Sequence, residues 1–314
     1  MRIRACRTKE NVLQFLETYD VQHREHYKTK SLLLDKDQVI PAVTFHSKIV
    51  KPLAYRFVTW VQRHHDKLIS PAQLSTTETG RILRAFYRYQ LFCNLFGVDV
   101  QSRHGIGTDE ERLEEYLDKF QPWEIEEILC INAFIEDKYS QVLDQVTWNF
   151  HPNNPKWDAE QTDPSTPEGA YNIEWFVLSS VFEARDHPAL VELMSQYIIS
   201  SNGDWFFEAT DDLVQERWRG RFLSEGDQAQ DYREPMPFEG DREGLPLLAW
   251  VILWKETSSN LYGVHIMEAF REWGSVMWDA GRLISSGAAD TLTTEWERFC
   301  TVANGDLEDA RDLI

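Results

Sequence analysis

The residues of this chain whose types could support chemistry are scattered, and none falls into a spacing that is diagnostic of a known reaction. His23 and His26 are three positions apart, and His64 lies close to Asp66, but no third ligand follows at a spacing typical of a metal site. His46 would meet them only across the fold. The sequence therefore predicts no metal ion and no cofactor.

Motifs for nucleophilic catalysis and nucleotide binding are equally absent. There is no G-x-S-x-G elbow and no P-loop, and Gly105-Ile106-Gly107 is a bare G-x-G without a preceding strand. Asp211 and Asp212 form an acidic pair at an expected helix start, where carboxylates cap backbone amides more often than they transfer protons. We assign no catalytic residue from these patterns.

A stripe of arginines is the most distinctive charged feature. Arg81, Arg84 and Arg88 recur at three- and four-residue steps, so they share one face of a helix. We interpret this stripe as a candidate interaction surface that either pairs with a neighbouring acidic helix over 109–118 or binds phosphate. Exposed ion pairs contribute only about 0–1 kcal/mol each, so we expect that replacing the three arginines by glutamine lowers the stability modestly.

Tryptophan is the second unusual feature, because 11 of the 12 residues of this type follow residue 122. Trp250 and Trp254 are one helical turn apart, and Trp273 and Trp278 lie on a nearby helical stretch. These side chains either fill a helical core or line a cleft for a cationic or planar ligand.

The helix that carries the arginines has the clearest signals of any element. Ser75 and Glu78 form a capping box, which satisfies amide groups that the first turn would leave unpaired. Apolar residues then recur at three- and four-residue steps from Ile82 to Phe96, and Gly97 is a typical helix terminator.

The remaining patterns predict an all-α fold, an irregular helical domain of about ten helices with two long surface loops. Pro52 should bend or break the second helix, because an interior proline removes a backbone hydrogen bond. Prolines and clustered polar residues predict loops at 148–170 and 224–246. These loops separate an N-terminal part, 1–147, from a C-terminal part, 171–314, within one continuous fold. The expected helices cover residues 10–19, 39–66, 75–96, 122–146, 171–184, 188–200, 204–222, 247–256, 261–284 and 292–302, and one more opens at Thr108 and Glu111.

Charge is distributed unevenly along the chain. The net charge is −20, yet residues 1–105 hold 17 Lys and Arg against 9 Asp and Glu, while the remainder holds 15 against 43. Opposite charges favour packing of the basic N-terminal part on the acidic remainder, and an acidic surface repels nucleic acid. We therefore expect internal complementarity and no nucleic-acid arm.

Apolar runs, the N-terminal residues and the cysteines indicate the cellular compartment. No apolar run reaches the roughly 18 residues that suggest a membrane span, and the N-terminal residues lack the apolar core of a signal peptide. The four cysteines are scattered and are expected to be reduced. We predict a cytoplasmic or nuclear protein with no membrane contact, and the oligomeric state is left open.

Two segments, GRILRAFYRYQLFCNLFG (80–97) and KFQPWEIEEILCINAFI (119–135), carry a resemblance. Over about residues 74–139 the chain resembles uncharacterised helical proteins of filamentous fungi, some of which have an N-terminal F-box-like segment. In those members the F-box implies docking to the adaptor of a cullin-type ubiquitin ligase. Residues 1–27 of this chain lack the Leu-Pro opening and the spaced Leu, Cys and Trp positions of an F-box, and the resemblance implies no catalytic residues.

The sequence is most consistent with a non-enzymatic protein-interaction or scaffolding module whose protein partner is unidentified. Two alternatives stay open. One is an enzyme with an unrecognised site in a tryptophan-lined helical cleft beside the 148–170 loop. The other is a nucleic-acid-associated protein that uses the basic N-terminal part.

Overall fold

The computed structural model describes residues 8–26, 36–64, 74–96, 115–150, 236–254 and 266–302. Within these ranges 82% of the residues are helical and none is in a strand, which confirms the all-α prediction. The α-helices are α1 (Lys9–His26), α2 (Lys36–Phe45), α3 (Lys51–His64), α4 (Thr76–Phe96), α5 (Pro122–Phe150), α6 (Leu248–Trp254), α7 (Glu268–Glu272), α8 (Ala280–Ser286) and α9 (Ala288–Val302).

Helix α4 begins where the capping box predicts. The Ser75 amide donates to Glu78 Oε2 over 2.9 Å, and the Glu78 amide donates to Ser75 Oγ over 3.0 Å. Each residue thereby satisfies a backbone donor of the other, as in a capping box. The helix is described as far as Phe96, and Gly97, its predicted terminator, lies outside the described residues.

Helices α2 and α3 are joined by one turn of π-helix, His46–Val50. The flanking residues Phe45 and Lys51 both keep right-handed helical angles, so residues 36–64 form one continuous helical rod. Pro52 is the second residue of α3, and its ring nitrogen has no hydrogen to donate to the preceding turn. The predicted break at Pro52 is absent, and the irregularity beside the proline is the wider π turn.

The π turn also explains the apolar spacing of the rod. Phe45, Ile49, Leu53 and Phe57 recur every four residues, which exceeds the 3.6-residue repeat of an α-helix. A wider turn adds the extra residue, so all four side chains lie on or against the core. The other side of the rod therefore faces outward along its length.

Helix α5 begins at Pro122, as predicted, and the Gln121 amide donates to Glu124 Oε2 over 3.1 Å. Proline suits the first helical position because its missing N–H would have no partner there. The helix is longer than predicted, since it extends to Phe150. The first three residues of the predicted 148–170 loop are therefore helical.

An aromatic cluster joins α3, α4 and α5. The Phe134 ring lies edge-on to Phe57 at 5.7 Å and to Trp60 at 5.4 Å between centroids, and Phe86 meets Phe57 at 6.3 Å. Edge-to-face contacts of this kind add to the free energy of burying the rings. Phe57, Phe86 and Phe134 have no exposed surface, so this cluster is part of the core.

The predicted single helix over 261–284 is wrong within the described range 266–284. The chain there forms α7, a 3-10 turn at Ser275–Met277 and the start of α8. Gly274 has φ 62°, a left-handed conformation that glycine adopts without strain, and Asp279 is extended with φ −70° and ψ 148°. These two residues interrupt the helix because they leave the right-handed helical region.

Several predicted elements lie outside the described residues. They are the helix opened at Thr108, the helices over 171–184, 188–200 and 204–222, and the loop residues 151–170 and 224–235. Residues 236–246 of the second predicted loop contain no helix or strand, as expected. Among the described helices none combines the length and the apolar character needed to cross a membrane.

Candidate functional site

Two of the three arginines of the stripe on α4, Arg81 and Arg88, lie in the interior of the protein. Arg88 Nη2 donates to Glu124 Oε1 over 2.8 Å, and both side chains are only 2% exposed. Glu124 belongs to the first turn of α5, where the positive end of the helix dipole also favours a carboxylate. The arginine on α4 is thus paired with a carboxylate on α5.

Arg84 contacts two further carboxylates, those of Glu127 on α5 and Glu243. Its Nη2 donates to both oxygens of Glu127 at 2.9 and 3.1 Å, and its Nη1 donates to Glu243 at 2.7 Å. The Arg84 side chain is 22% exposed, Glu127 is 1% exposed and Glu243 is 65% exposed. Arg84 therefore lies where the buried network reaches the surface.

Arg81 joins α4 to the C-terminal part of the chain. Its Nη1 donates to Asp279 Oδ1 over 2.7 Å, and its Nη2 donates to the Asp241 carbonyl over 3.2 Å. The hydroxyls of Ser75 and Thr77 also donate to Asp279. One carboxylate before α8 thus accepts hydrogen bonds from three residues at the start of α4.

A reciprocal pair completes this contact. Arg282 on α8 donates through Nε and Nη2 to the two carboxylate oxygens of Glu78 at 2.6 and 2.7 Å. Glu78 is 1% exposed and also accepts from the Asp279 amide at 3.2 Å. The first turns of α4 and α8 are therefore held together by charges of both signs from both helices.

A second buried pair joins α5 to α7. Arg271 Nε donates to Glu126 Oε1 over 2.7 Å and Nη2 donates to Glu126 Oε2 over 3.3 Å. Their side chains are 2% and 0% exposed. Since an isolated buried charge is very costly, each member of this pair depends on the other.

The electrostatic environments of the two carboxylates next to Arg84 and Arg88 differ. Burial raises the pKa of Glu127, and the charges of Arg84 and Arg88 offset this only in part. Burial also acts to raise the pKa of Glu124, but the charges of Arg88 and Arg84 and the hydrogen bonds from Arg88 and the Gln121 amide together outweigh burial and lower it. Both carboxylates are held by arginine and shielded from solvent, so this network suits a clamp between helices better than proton transfer to a substrate.

The sequence-predicted arginine surface therefore differs from the observed arrangement. Arg81 and Arg88 are 4% and 2% exposed, and their carboxylate partners, Asp279 and Glu124, belong to the same chain. The acidic residues they contact lie on α5 and at 241–279, while most of the expected partner segment 109–118 lies outside the described residues. Because buried pairs cost more to break than exposed ones, we expect the glutamine replacements to lower stability by more than the modest loss that exposed pairs would give.

The described tryptophans fill the core. Trp250, Trp254 and Trp278 have no exposed surface, and Trp296 is 1% exposed. Trp296 Nε1 donates to the Leu253 carbonyl over 2.6 Å, and its ring meets Trp254 edge-on at 5.8 Å between centroids. With both faces covered by protein, these rings offer no surface to a ligand.

The histidine and acidic candidates also find local roles or lie outside the described part. His46 Nδ1 lies 2.9 Å from the Tyr87 hydroxyl, and His64 Nδ1 lies 3.1 Å from the Trp60 carbonyl. No group of His, Cys, Asp and Glu within the described ranges could hold a metal ion. Nothing is described of the side chains of His23 and His26, and the remaining candidates, Asp66, Gly105, Gly107, Asp211 and Asp212, lie outside the described residues.

The sequence reasoning missed a set of exposed apolar side chains on the rod. Ile40 is 67% exposed, Val43 is 58% exposed and Tyr55 is 67% exposed. Tyr87 on α4 contacts the same rod, with its ring 6.1 Å from Phe45, and is 41% exposed. An uncharged run, VIPAVTF at 39–45, was the available signal, but such a run is equally typical of a buried helix.

Comparison of the whole chain with protein-family models, with curated proteins and with solved structures finds no match.

Proposed function

We propose that this protein is a non-enzymatic protein-interaction or scaffolding module. The observation that carries the proposal is the exposure of the aliphatic side chains of Ile40 and Val43 on a helix without charged residues between 39 and 45. Exposed aliphatic side chains that are close together are typical of surfaces that bind other proteins.

The electrostatics of the described residues support the same proposal. The buried carboxylates Glu124, Glu126 and Glu127 are each engaged by an arginine of the chain. A general acid or base must lie within hydrogen-bonding reach of its substrate, which a carboxylate enclosed by helices does not. Likewise, Arg81 and Arg88 direct their charge to internal carboxylates, whereas phosphate binding needs accessible cations.

The resemblance of residues 74–139 to fungal helical proteins belongs to this proposal and carries no assigned activity with it. The resemblance is consistent with a protein that binds other proteins, and it suggests no reaction.

The direct test is affinity purification of the full chain from its native host, followed by quantitative mass spectrometry. We expect at least one protein to copurify in reproducible, near-stoichiometric amount and to be absent from a tag-only control. The same preparation is incubated with a metabolite extract from the host. Catalytic depletion of a metabolite, with no stoichiometric protein partner, would instead establish the enzyme alternative.

A further inference from the structure

The outward side of the rod over 36–64 combines apolar and basic side chains. We define the rod face as Ile40, Val43, Lys48, Lys51 and Tyr55, all of which are exposed. The π turn between α2 and α3 keeps these residues in phase, since it adds the residue that the four-residue core spacing requires. The face therefore runs along one side of a single helical rod.

The rod face has an unusual charge for this chain. Asp37 is the one acidic residue in the sequence of the rod and residues 38–64 contain no Asp or Glu, whereas the whole chain has a net charge of −20. Arg56 and Arg63 on the same rod are also exposed. The surface around the apolar side chains is consequently positive, and the partner that complements it carries negative charge.

The arrangement along the rod favours a helical partner. Ile40 and Val43 lie at one end of the face and Tyr55 lies 15 positions after Ile40, which corresponds to about 22 Å at 1.5 Å per residue. Lysines lie between these apolar positions. An amphipathic helix of about four turns that presents leucine-like side chains to Ile40, Val43 and Tyr55, and carboxylates to the lysines, matches this pattern.

Other anionic partners use these residues less well. A nucleic-acid backbone contacts cations but has no use for the aliphatic side chains of Ile40 and Val43. An anionic membrane attracts the lysines, yet residues 106–314 carry 43 acidic side chains against 15 basic ones, and these oppose approach to such a surface. The combined apolar and basic character favours a protein segment.

We propose that the rod face binds an acidic amphipathic helical segment of another protein. This inference rests on the proposed interaction function and names its surface and the chemistry of its partner. Apolar contacts at Ile40 and Val43 supply most of the affinity, and Lys48 and Lys51 set the orientation and the association rate.

The test measures fluorescence anisotropy of a labelled 16-residue helical peptide built from Glu and Leu, with leucines along one face. A scrambled peptide of identical composition is the control probe. The full-length proteins compared are wild type, I40S/V43S and K48Q/K51Q. Ile284→Ser is the matched apolar control, because Ile284 is 66% exposed against 67% for Ile40. Arg242→Gln is the charge control, since Arg242 is exposed on a different segment.

We expect wild type to prefer the amphipathic peptide to the scrambled one, and each double variant to weaken binding by about tenfold or more. Both control variants should bind as wild type does. The substituted side chains are exposed, and matched far-UV circular dichroism and melting temperature confirm the fold. Tyr55→Ser is an independent third variant, for which we expect weaker peptide binding as well.

Four results would overturn the inference. The first is that wild type does not bind the peptide, or that the double variants bind it as tightly as wild type does. The second is binding of duplex DNA or of phosphatidylserine vesicles that needs the lysines but not Ile40 and Val43. The third is self-association of wild type that I40S/V43S abolishes. The fourth is a photo-crosslink from position 43 to 106–114 or 224–235 of the same chain.

The native copurification experiment separates this inference from the proposed function. A native partner that stays bound to I40S/V43S refutes the rod face as its site and leaves the interaction function intact. A wild-type chain that recovers no partner refutes the interaction function itself.

Discussion

Replacing Arg271 by methionine is expected to leave the Glu126 carboxylate buried without a counter-charge. Arg271 donates two hydrogen bonds to Glu126, at 2.7 and 3.3 Å, and the Glu126 side chain has no exposed surface. Glu268 also contacts Arg271, at 3.4 Å, but it is acidic and 51% exposed, so it cannot compensate for the lost guanidinium. The substitution therefore leaves the negative charge of Glu126 unpaired between α5 and α7.

The expected loss follows from this burial. Removing one member of a buried ion pair costs roughly 3–5 kcal/mol, whereas removing an exposed pair costs about 0–1 kcal/mol. Against a total unfolding free energy of about 5–15 kcal/mol for a typical domain, this is a large fraction. Replacing both residues, in E126L/R271M, removes the uncompensated charge together with its partner and should restore stability to within about 1–2 kcal/mol of wild type.

The assay is urea denaturation of wild type, R271M, Glu126→Leu and E126L/R271M, read by tryptophan fluorescence and by far-UV circular dichroism. Arg271→Lys is the control that keeps a positive charge and loses the two-pronged geometry, so we expect an intermediate loss. If R271M loses less than about 1 kcal/mol, the pair behaves as an exposed one and the burial argument is wrong. If E126L/R271M is no more stable than R271M, an uncompensated charge is not the cause of the loss.

Four further predictions concern other positions. Burial raises the pKa of Glu127 above 4.5, so its stabilising contribution is present in acid and is lost as pH rises through the raised pKa; Glu127→Gln should therefore be more favourable, relative to wild type, at neutral pH than in acid. Burial acts to raise the pKa of Glu124, but Arg88, Arg84 and the Gln121 amide together lower it from 4.5, so Glu124→Gln should show the opposite trend in denaturation at several pH values. Gly274→Ala places a Cβ 3.1 Å from the Phe57 ring at φ 62°, so it should cost roughly 1–3 kcal/mol in thermal unfolding, and an unchanged melting temperature would contradict this. Ser75→Ala removes the helix cap and should cost about 1 kcal/mol, with Ser75→Thr retaining most of the stability.

Local signals were enough to predict the start of α4 and the start of α5. The capping box at Ser75 and the proline at position 122 act through hydrogen bonds and steric limits within a single helical turn. The apolar spacing likewise predicted that Phe57 and Phe86 face a core. These interactions join residues only a few positions apart, so the local sequence is enough to recognise these elements without a tertiary structure.

The interruption of the helix expected over 261–284 shows where local signals are insufficient. Gly274 is tolerated inside many helices, and nothing in its immediate sequence requires a positive φ. In the structure its Cα lies close to the Phe57 ring, where a side chain would not fit without movement. The interruption at Gly274 therefore coincides with packing against Phe57 of α3, which is more than 200 positions earlier in the chain.

The partners of the arginines and the exposure of the rod were likewise decided by tertiary structure. The stripe of Arg81, Arg84 and Arg88 was visible in the sequence, but Asp279 and Glu127 were only two among 52 acidic residues that could have paired with it. The run at 39–45 has the composition of a buried helix, yet Ile40 and Val43 are exposed. Ion pairing and burial depend on which distant surfaces meet, because residues far apart in the chain supply both the opposite charge and the contact that removes water from apolar side chains.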